Sequence, residues 1–374
     1  MKNRLFLSTP TMHCEEMSFI NEAFEKNWVA PLGFNCDNFE QEMSAFLDNQ
    51  NSNFCLALNS GTSALHLAVK LANVKSGDIV LCSDMTFSAT VNPIVYEGGV
   101  PVFIDSEKDS WNMDPLALEN AFIKYPDAKV VMLAHLYGTP AKMDEILEIC
   151  NRHNAVLIED AAEALSAKYK GKECGTFGNY AAISFNGNKI ITTSGGGMLI
   201  TKDEKARDKA FFWATQSREP FAWYEHKEIG YNYRMSNIVA GIGRGQLLHL
   251  EEHRQKKTDI YNRYKKGFEG CPVCMNPYLE DTVPNFWLSC ILLQEDVKIT
   301  PLQIMEILNK HNIETRPLWK PMHMQPVFKD NDFITANGHA VNEDLFAQGL
   351  CLPSDIKMTA EEQQTVIDII KDLI

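Results

Sequence analysis

Apolar residues recur at helical spacing across the first ~50 residues, at Met17, Ile20 and Phe24 and again at Phe39, Met43 and Phe46. The loop Asn27-Trp28-Val29-Ala30-Pro31-Leu32-Gly33 separates the two groups. Short apolar runs then alternate with helical stretches. The runs Cys55–Leu58, Ile79–Cys82, Val100–Ile104, Val130–Leu133, Val156–Ile158, Ala181–Phe185 and Gly197–Thr201 predict strands. Ser63–Leu71, Pro115–Ala121 and Met143–Cys150 predict helices between them. Strand and helix alternating in this way predict an α/β unit whose mostly parallel sheet is buried on both faces. Beyond residue 203 the pattern changes. Met235–Tyr264 reads as one long charged helix, followed by a strand near Phe286–Leu293 and helices over Pro301–His311 and Glu361–Ile374. The expected organisation is a large α/β domain over residues 1–250 and a smaller C-terminal α+β domain over 251–374.

Composition narrows the function. The 374 residues are 45% hydrophobic, and 49 acidic against 35 basic side chains leave a net charge of -14. That balance argues against a nucleic-acid binder, which needs a basic face to displace counterions. Met1-Lys2-Asn3-Arg4 leads into only Leu5-Phe6-Leu7 before Ser8-Thr9-Pro10, too short for a secretory signal. No apolar run approaches the ~20 residues that span a bilayer. The expectation is a cytoplasmic protein whose ten scattered cysteines stay reduced. Cys271-Pro-Val-Cys274 lacks a second pair or nearby histidines, so it reads as loop cysteines, and no metal site is expected.

Three stretches that follow candidate strands carry chemistry, at the edge where open α/β sheets place ligands. Asn59-Ser60-Gly61-Thr62-Ser63-Ala64 brings small residues to a helix N-terminus, which suits an anion and equally suits a plain capped turn. Glu159-Asp160-Ala161-Ala162-Glu163 ends an apolar strand in acids, which either meet a cation or mark the point where the strand reaches solvent. Ser184-Phe185-Asn186-Gly187-Asn188-Lys189 leads to a lysine ahead of Thr192-Thr193-Ser194-Gly195-Gly196-Gly197. A partly desolvated amine there would have a lowered pKa and serve as a Schiff-base nucleophile. An anion nest, a buried acid and an activated amine are what pyridoxal phosphate requires.

Two other motifs read as decoys. His249-Leu250-Glu251-Glu252-His253 fits a metal-binding helical pattern, but its many charges of both signs suggest a solvated face. Gly241-Ile-Gly243-Arg-Gly245 lies inside a helical pattern instead of after a strand, so close helix packing explains it better than a dinucleotide fingerprint.

The chain resembles, over essentially its whole length, the sugar aminotransferases of the DegT/StrS type within the fold-type-I pyridoxal-phosphate enzymes. The markers are Ser60-Gly61-Thr62, Thr86-Phe87-Ser88-Ala89-Thr90, Glu159 to Glu163, Ser184 before Lys189, Gly230-Tyr231-Asn232-Tyr233-Arg234-Met235-Ser236 and Arg316-Pro317-Leu318-Trp319-Lys320-Pro321-Met322-His323. The resemblance implies a large domain with a mostly parallel sheet between helices and a smaller C-terminal domain. It also implies that Lys189 anchors pyridoxal 5'-phosphate and shuttles a proton, and that Asp160 pairs with the pyridinium nitrogen. Glu163 would face the phenolic oxygen, Phe87 would stack on the ring, and Gly61, Thr62 and Ser184 would bind the phosphate. Asn232 would reach the phosphate of a neighbouring subunit, implying a homodimer with shared sites. Asn27, Trp28, Val29, Ala30, Arg316, Trp319 and His323 would line a nucleotide-sugar pocket. Plainer roles stand beside these: Phe87 as core, Arg316 and His323 as surface contacts, Asn232 as a helix cap. The stretches around Lys189, Asn27–Gly33 and Arg316–Trp319 look like the bacillosamine branch, implying transfer of an amino group from L-glutamate to C4 of a UDP-linked 4-keto-6-deoxy-N-acetylhexosamine. The alternatives are a GDP-linked 4-keto-6-deoxymannose, a 3-keto sugar, or a non-catalytic sugar-nucleotide scaffold.

Overall fold

Each apolar run between residues 55 and 201 becomes a strand of one eight-stranded sheet, in a computed structural model that describes residues 4–48 and 52–374. The order across the sheet is β1 (Phe54–Leu58), β9 (Gly197–Thr201), β8 (Tyr180–Ser184), β5 (Val156–Asp160), β4 (Val130–Ala134), β2 (Ile79–Ser83), β3 (Val100–Ile104) and β14 (Phe333–Ile334). From β8 to β14 every pairing is parallel; β9 alone runs against its neighbours.

The runs are continuous because both faces are covered. Val80 and Cys82 of β2 pack into the cluster formed with α3 (Gly61–Leu71) and α7 (Glu204–Ala214), whereas Leu81 points to α5 (Pro115–Lys124) and α6 (Met143–Arg152). On the latter side of β1, Cys55 and Ala57 meet α2 (Phe34–Leu47) and α8 (Asn237–Leu247). α1 (Glu15–Glu25) lies along α8, and the glycines of α8 make the approach: a Cβ at Gly245 would sit 2.6 Å from Glu16 N, and one at Gly243 2.6 Å from the Phe39 ring. Close packing is therefore the reason for that glycine spacing.

The long helix expected over Met235–Tyr264 is instead two, α8 and α9 (Leu250–Gly267). The glycine seam fixes the orientation of α8, while α9 buries a separate stripe at Leu250, His253, Lys257, Ile260, Tyr261 and Tyr264. The turn at Leu248 and His249 lets α8 pack on α1 and α2 while α9 packs on the C-terminal part. The solvated face expected at His249–His253 is corrected with it. His253 is buried, with Nδ1 2.8 Å from the Ile190 carbonyl, and His249 stacks on His13 at 3.6 Å.

The C-terminal part is α+β as expected. Its sheet runs β10 (Val273–Met275), β12 (Ser289–Leu293), β15 (Gly349–Leu352), β13 (Arg316–Pro317), covered by α9, α10 (Pro301–Lys310), α11 (Val341–Gln348) and α12 (Ala360–Lys371). α10 and α12 open on capping boxes, Thr300 with Gln303 and Thr359 with Glu362. A small sheet joins β6 (Lys168–Tyr169) to β7 (Lys172–Glu173) and to β11 (Thr282–Val283). β14 and β11 thus carry residues beyond 250 into contact with the large unit. One helix absent from the sequence reading, α4 (Ser88–Tyr96), contains Pro93 and several β-branched residues; packing on α3 overrides its weak propensity. Among the described residues no helix is long and apolar enough to cross a membrane.

Glu173 gives the fold a pH dependence. It is buried with Oε2 unbonded, and burial pushes its carboxyl up to about 7 against the pull of Lys168. A raised folded-state pKa contributes stability that is complete at low pH and is lost as pH rises toward that value. The wild type should therefore lose on the order of 2 kcal/mol relative to Glu173→Gln between pH 5 and pH 8. Paired denaturant melts check this; parallel behaviour of the two proteins would contradict it.

Candidate active site

Parallel strands end at one edge of the large sheet, and the stretches singled out in the sequence follow them there. They surround a cavity of ≈ 300 Å³ whose walls include Gly61, Thr62, Phe87, Asp160, Glu163, Ser184 and Lys189.

At one end the Ser60 side chain caps α3 by accepting from Ser63 N at 3.0 Å. The first-turn N–H groups of Gly61 and Thr62 lie beyond the reach of intrahelical acceptors and are available to an anion. Ser184, at the end of β8, closes the nest. A Cβ at Gly197 would lie 2.3 Å from Gly61 N, so only glycine lets β9 approach this turn.

Asp160 ends β5 and is only 7% exposed. Its Oδ2 accepts from Thr90 Oγ1 at 2.6 Å and its Oδ1 from Ala162 N at 3.0 Å. Thr86 Oγ1 lies 2.6 Å from Thr90 Oγ1, extending a hydroxyl chain that fixes the carboxylate. The strand has not reached solvent here. The adjacent Glu159 is fully buried and faces the other way, taking N–H bonds from Gly175, Phe177 and Gly178 and lying 2.9 Å from His135 Nε2. Burial raises its pKa, but His135 and those amides outweigh this and hold the carboxyl below its usual range.

Lys189 Nζ lies 4.0 Å above the Trp287 indole and 3.8 Å from Glu163 Oε1. Burial draws its pKa below the ordinary lysine value, although Glu163 and Asp160 oppose the shift. Glu163 is pushed up by burial while Lys189 pulls it down. Its Oε2 accepts from Tyr137 N at 2.7 Å and its Oε1 from Trp319 Nε1 at 3.3 Å. Tyr137 itself adopts the left-handed conformation, φ 51°. Phe87 is 52% exposed, with its ring tilted against Trp319 at 5.3 Å, so it belongs to the cavity wall and not the core.

An anion nest, an exposed aromatic face, a carboxylate fixed from behind and a desolvated amine thus share one cavity. These residues fit pyridoxal phosphate. Next to it is a second cavity of ≈ 510 Å³ that shares Asn188, Trp287 and Trp319 with the first. Arg316 and Lys320 line it, and the Arg316 guanidinium is 2.9 Å from Glu314.

Other expected residues lie elsewhere. His323 lines neither cavity: its Nδ1 is 2.7 Å from Asp84 Oδ2 and its ring stacks on Phe333 at 3.9 Å. Burial works against its imidazolium, but Asp84 and Glu343 outweigh that and hold its pKa above the usual value. Asn27, Trp28, Val29 and Ala30 also lie outside both cavities, held by Asn237, which bonds the Trp28 carbonyl at 2.9 Å and the Ala30 carbonyl at 2.8 Å. Asn232 is exposed and accepts from Asn59 Nδ2 and Gln216 Nε2. It does not cap α8, whose cap is Ser236.

The sequence reading missed His135 and Trp287. His135 directly follows β4 as Asp160 ends β5, and that position was the available signal. Its Nδ1 accepts from Ala141 N at 3.2 Å, so the ring proton lies on Nε2 toward Glu159. Trp287 comes from the C-terminal part and carries no local signal.

Comparison with known proteins agrees with this geometry. The profile of the DegT/DnrJ/EryC1/StrS aminotransferase family matches residues 10–371. EpsN of Bacillus subtilis (strain 168) is 47% identical, covering 100% of this chain and 96% of its own. The GDP-perosamine synthase of Escherichia coli O157:H7 is 34% identical over 94% of each. Among solved structures, Helicobacter pylori PseC, an aminotransferase of pseudoaminic acid biosynthesis, superposes with a TM-score of 0.89 at 23% identity, covering 99% of both chains.

Proposed function

This chain belongs to the DegT/DnrJ/EryC1/StrS aminotransferase family and is a pyridoxal-phosphate-dependent sugar aminotransferase, and on that premise we propose that it transfers an amino group from L-glutamate to C4 of a UDP-linked 4-keto-6-deoxy-N-acetylhexosamine. The observation that carries a nucleotide-linked substrate is the second cavity, joined to the amine's cavity through Trp319 and edged by Arg316 and Lys320. A sugar at Lys189 would then extend its diphosphate toward two cations. Arg316 offers a planar donor fork that matches phosphate oxygens.

When bound, pyridoxal phosphate supplies an aldehyde for nitrogen exchange and an electron-poor ring. The chain's own groups do the rest. Gly61, Thr62 and Ser184 would hold the phosphate, Phe87 would lie against the ring, and Asp160, fixed by Thr90, would accept a proton-bearing ring nitrogen's hydrogen bond. Lys189 Nζ would hold the aldehyde and would move the proton at the carbon that exchanges nitrogen. Glu163, its carboxyl raised by burial, would share a proton with the phenolic oxygen. Asn232 and the Asn27–Ala30 loop lie on the surface outside both cavities, which supports a homodimer in which they complete a partner's site.

The 34% identity to a GDP-perosamine synthase favours a GDP-linked 4-keto sugar as the second reading. Incubating the enzyme and glutamate with each keto-sugar nucleotide, followed by mass spectrometry, separates the two; amination of only the GDP sugar would overturn the proposal. Arg316→Ala should raise KM for the sugar nucleotide ~10- to 100-fold, the worth of a charge-assisted bond. The half-reaction with glutamate should keep its rate, measured by stopped-flow absorbance.

A further inference from the structure

A second buried lysine, which the reaction above does not use, lines a small cavity together with Lys189. Lys257, on α9, is 3% exposed, and its Nζ donates to three oxygens from three separate segments. These are Ser8 Oγ at 3.1 Å, the Trp287 carbonyl at 3.0 Å and the Ser354 carbonyl at 2.7 Å. All three ammonium protons are thereby used, and none reaches Lys189.

Trp287 receives the rest of its support from the active-site side. Its N–H donates to Asn285 Oδ1 at 2.8 Å, and its indole N–H donates to the Asn188 carbonyl at 2.7 Å. Asn285 Nδ2 in turn bonds the carbonyls of Glu163 and Leu165. The indole is therefore tied to the residues flanking both Lys189 and Glu163, and Lys257 holds the one remaining backbone group of Trp287. The face of that indole lies 4.0 Å from Lys189 Nζ.

We propose that Lys257 is a positioning residue for Lys189: by fixing the Trp287 carbonyl it holds the indole face under the reacting amine. The inference rests on Lys189 as the cofactor lysine. Burial draws the Lys257 amine down to about 7, with Asp355 opposing and Lys357 adding to the shift, while Lys189 faces Glu163 and Asp160. His253 shares the small space between the two lysines. An indole face favours a cation above it, so withdrawing it lowers the affinity of the Lys189 nitrogen for a proton.

The test is a pH titration of the visible absorbance of the full-length, cofactor-loaded protein. In Lys257→Met and in Trp287→Leu the midpoint should fall by ~0.5 unit. The double variant should fall no further than Trp287→Leu alone, because Lys257 acts through Trp287. Val366→Ala, in the C-terminal core, should lower the melting temperature and leave the midpoint unmoved. A midpoint in Lys257→Met equal to the wild type, or additive shifts in the double variant, would overturn the proposal. Should Lys257→Met yield no folded protein, Lys257→Gln is titrated in its place: a lowered midpoint supports the proposal and an unmoved one overturns it. Acetic anhydride labelling of the cofactor-free chain, read at the Lys189 peptide, should show the same shift. Because it reports on Lys189 whether or not that residue anchors the cofactor, it separates failure of this inference from failure of the assignment.

Discussion

Lys189→Ala should abolish transamination, with turnover falling at least ~10⁴-fold in both half-reactions, because on the proposed assignment one amine both anchors the cofactor and moves the proton. The protein should still fold and retain cofactor through the nest at Gly61, Thr62 and Ser184. Its visible spectrum should be that of the unanchored aldehyde, and borohydride should fix no cofactor to the chain. The substitution also strips Glu163 of the cation 3.8 Å away, so that burial then acts on its carboxyl with less opposition. Turnover above about 1% of wild type, or a borohydride adduct on another lysine, would refute the assignment.

Asp160→Asn is expected to lower kcat ~10²- to 10³-fold, the usual cost of losing one preorganised electrostatic partner. The amide preserves the shape of the site, and its oxygen can still accept from Thr90. It cannot supply the negative charge that, on the proposed assignment, would keep a proton on the ring nitrogen. Affinity for the cofactor should fall less than turnover, since the phosphate donors are untouched. Single-turnover absorbance with glutamate measures this. Thr90→Val, which leaves Asp160 charged but loosens it, should cost less. A result in which Thr90→Val is the more damaging would place the chemistry in the hydroxyl chain instead.

Local pattern and tertiary context contributed differently to this picture. Ser60-Gly61-Thr62, Asp160, Ser184 and Lys189 were legible because each directly follows an apolar run, and in a parallel sheet every such run ends at the same edge. Arg316 and Trp319 were legible only through the family resemblance, and the structure brings both beside the cofactor cavity. His323 carried the same resemblance, yet its side chain is spent on Asp84, Phe333 and Glu343. The break between α8 and α9 escaped because the periodicity of both helices continues through Leu248 and His249. The glycine seam that holds α8 against α1 joins residues more than two hundred positions apart.

The order of amino acids alone determined a doubly covered parallel sheet, the edge where ligands bind, and an amine, an acid and an anion nest along that edge. Those features follow from hydrophobic period and from which residues stand next to a strand end. Folding in three dimensions decided which groups flank the amine. Trp287, Tyr137 and Lys257 come from remote segments, and their value lies in distances of 2.7–4.0 Å that no spacing along the chain encodes. Burial is likewise a property of the assembled fold: it draws Lys189 down and pushes Glu163 up, and the same residues in an open chain would titrate as ordinary side chains.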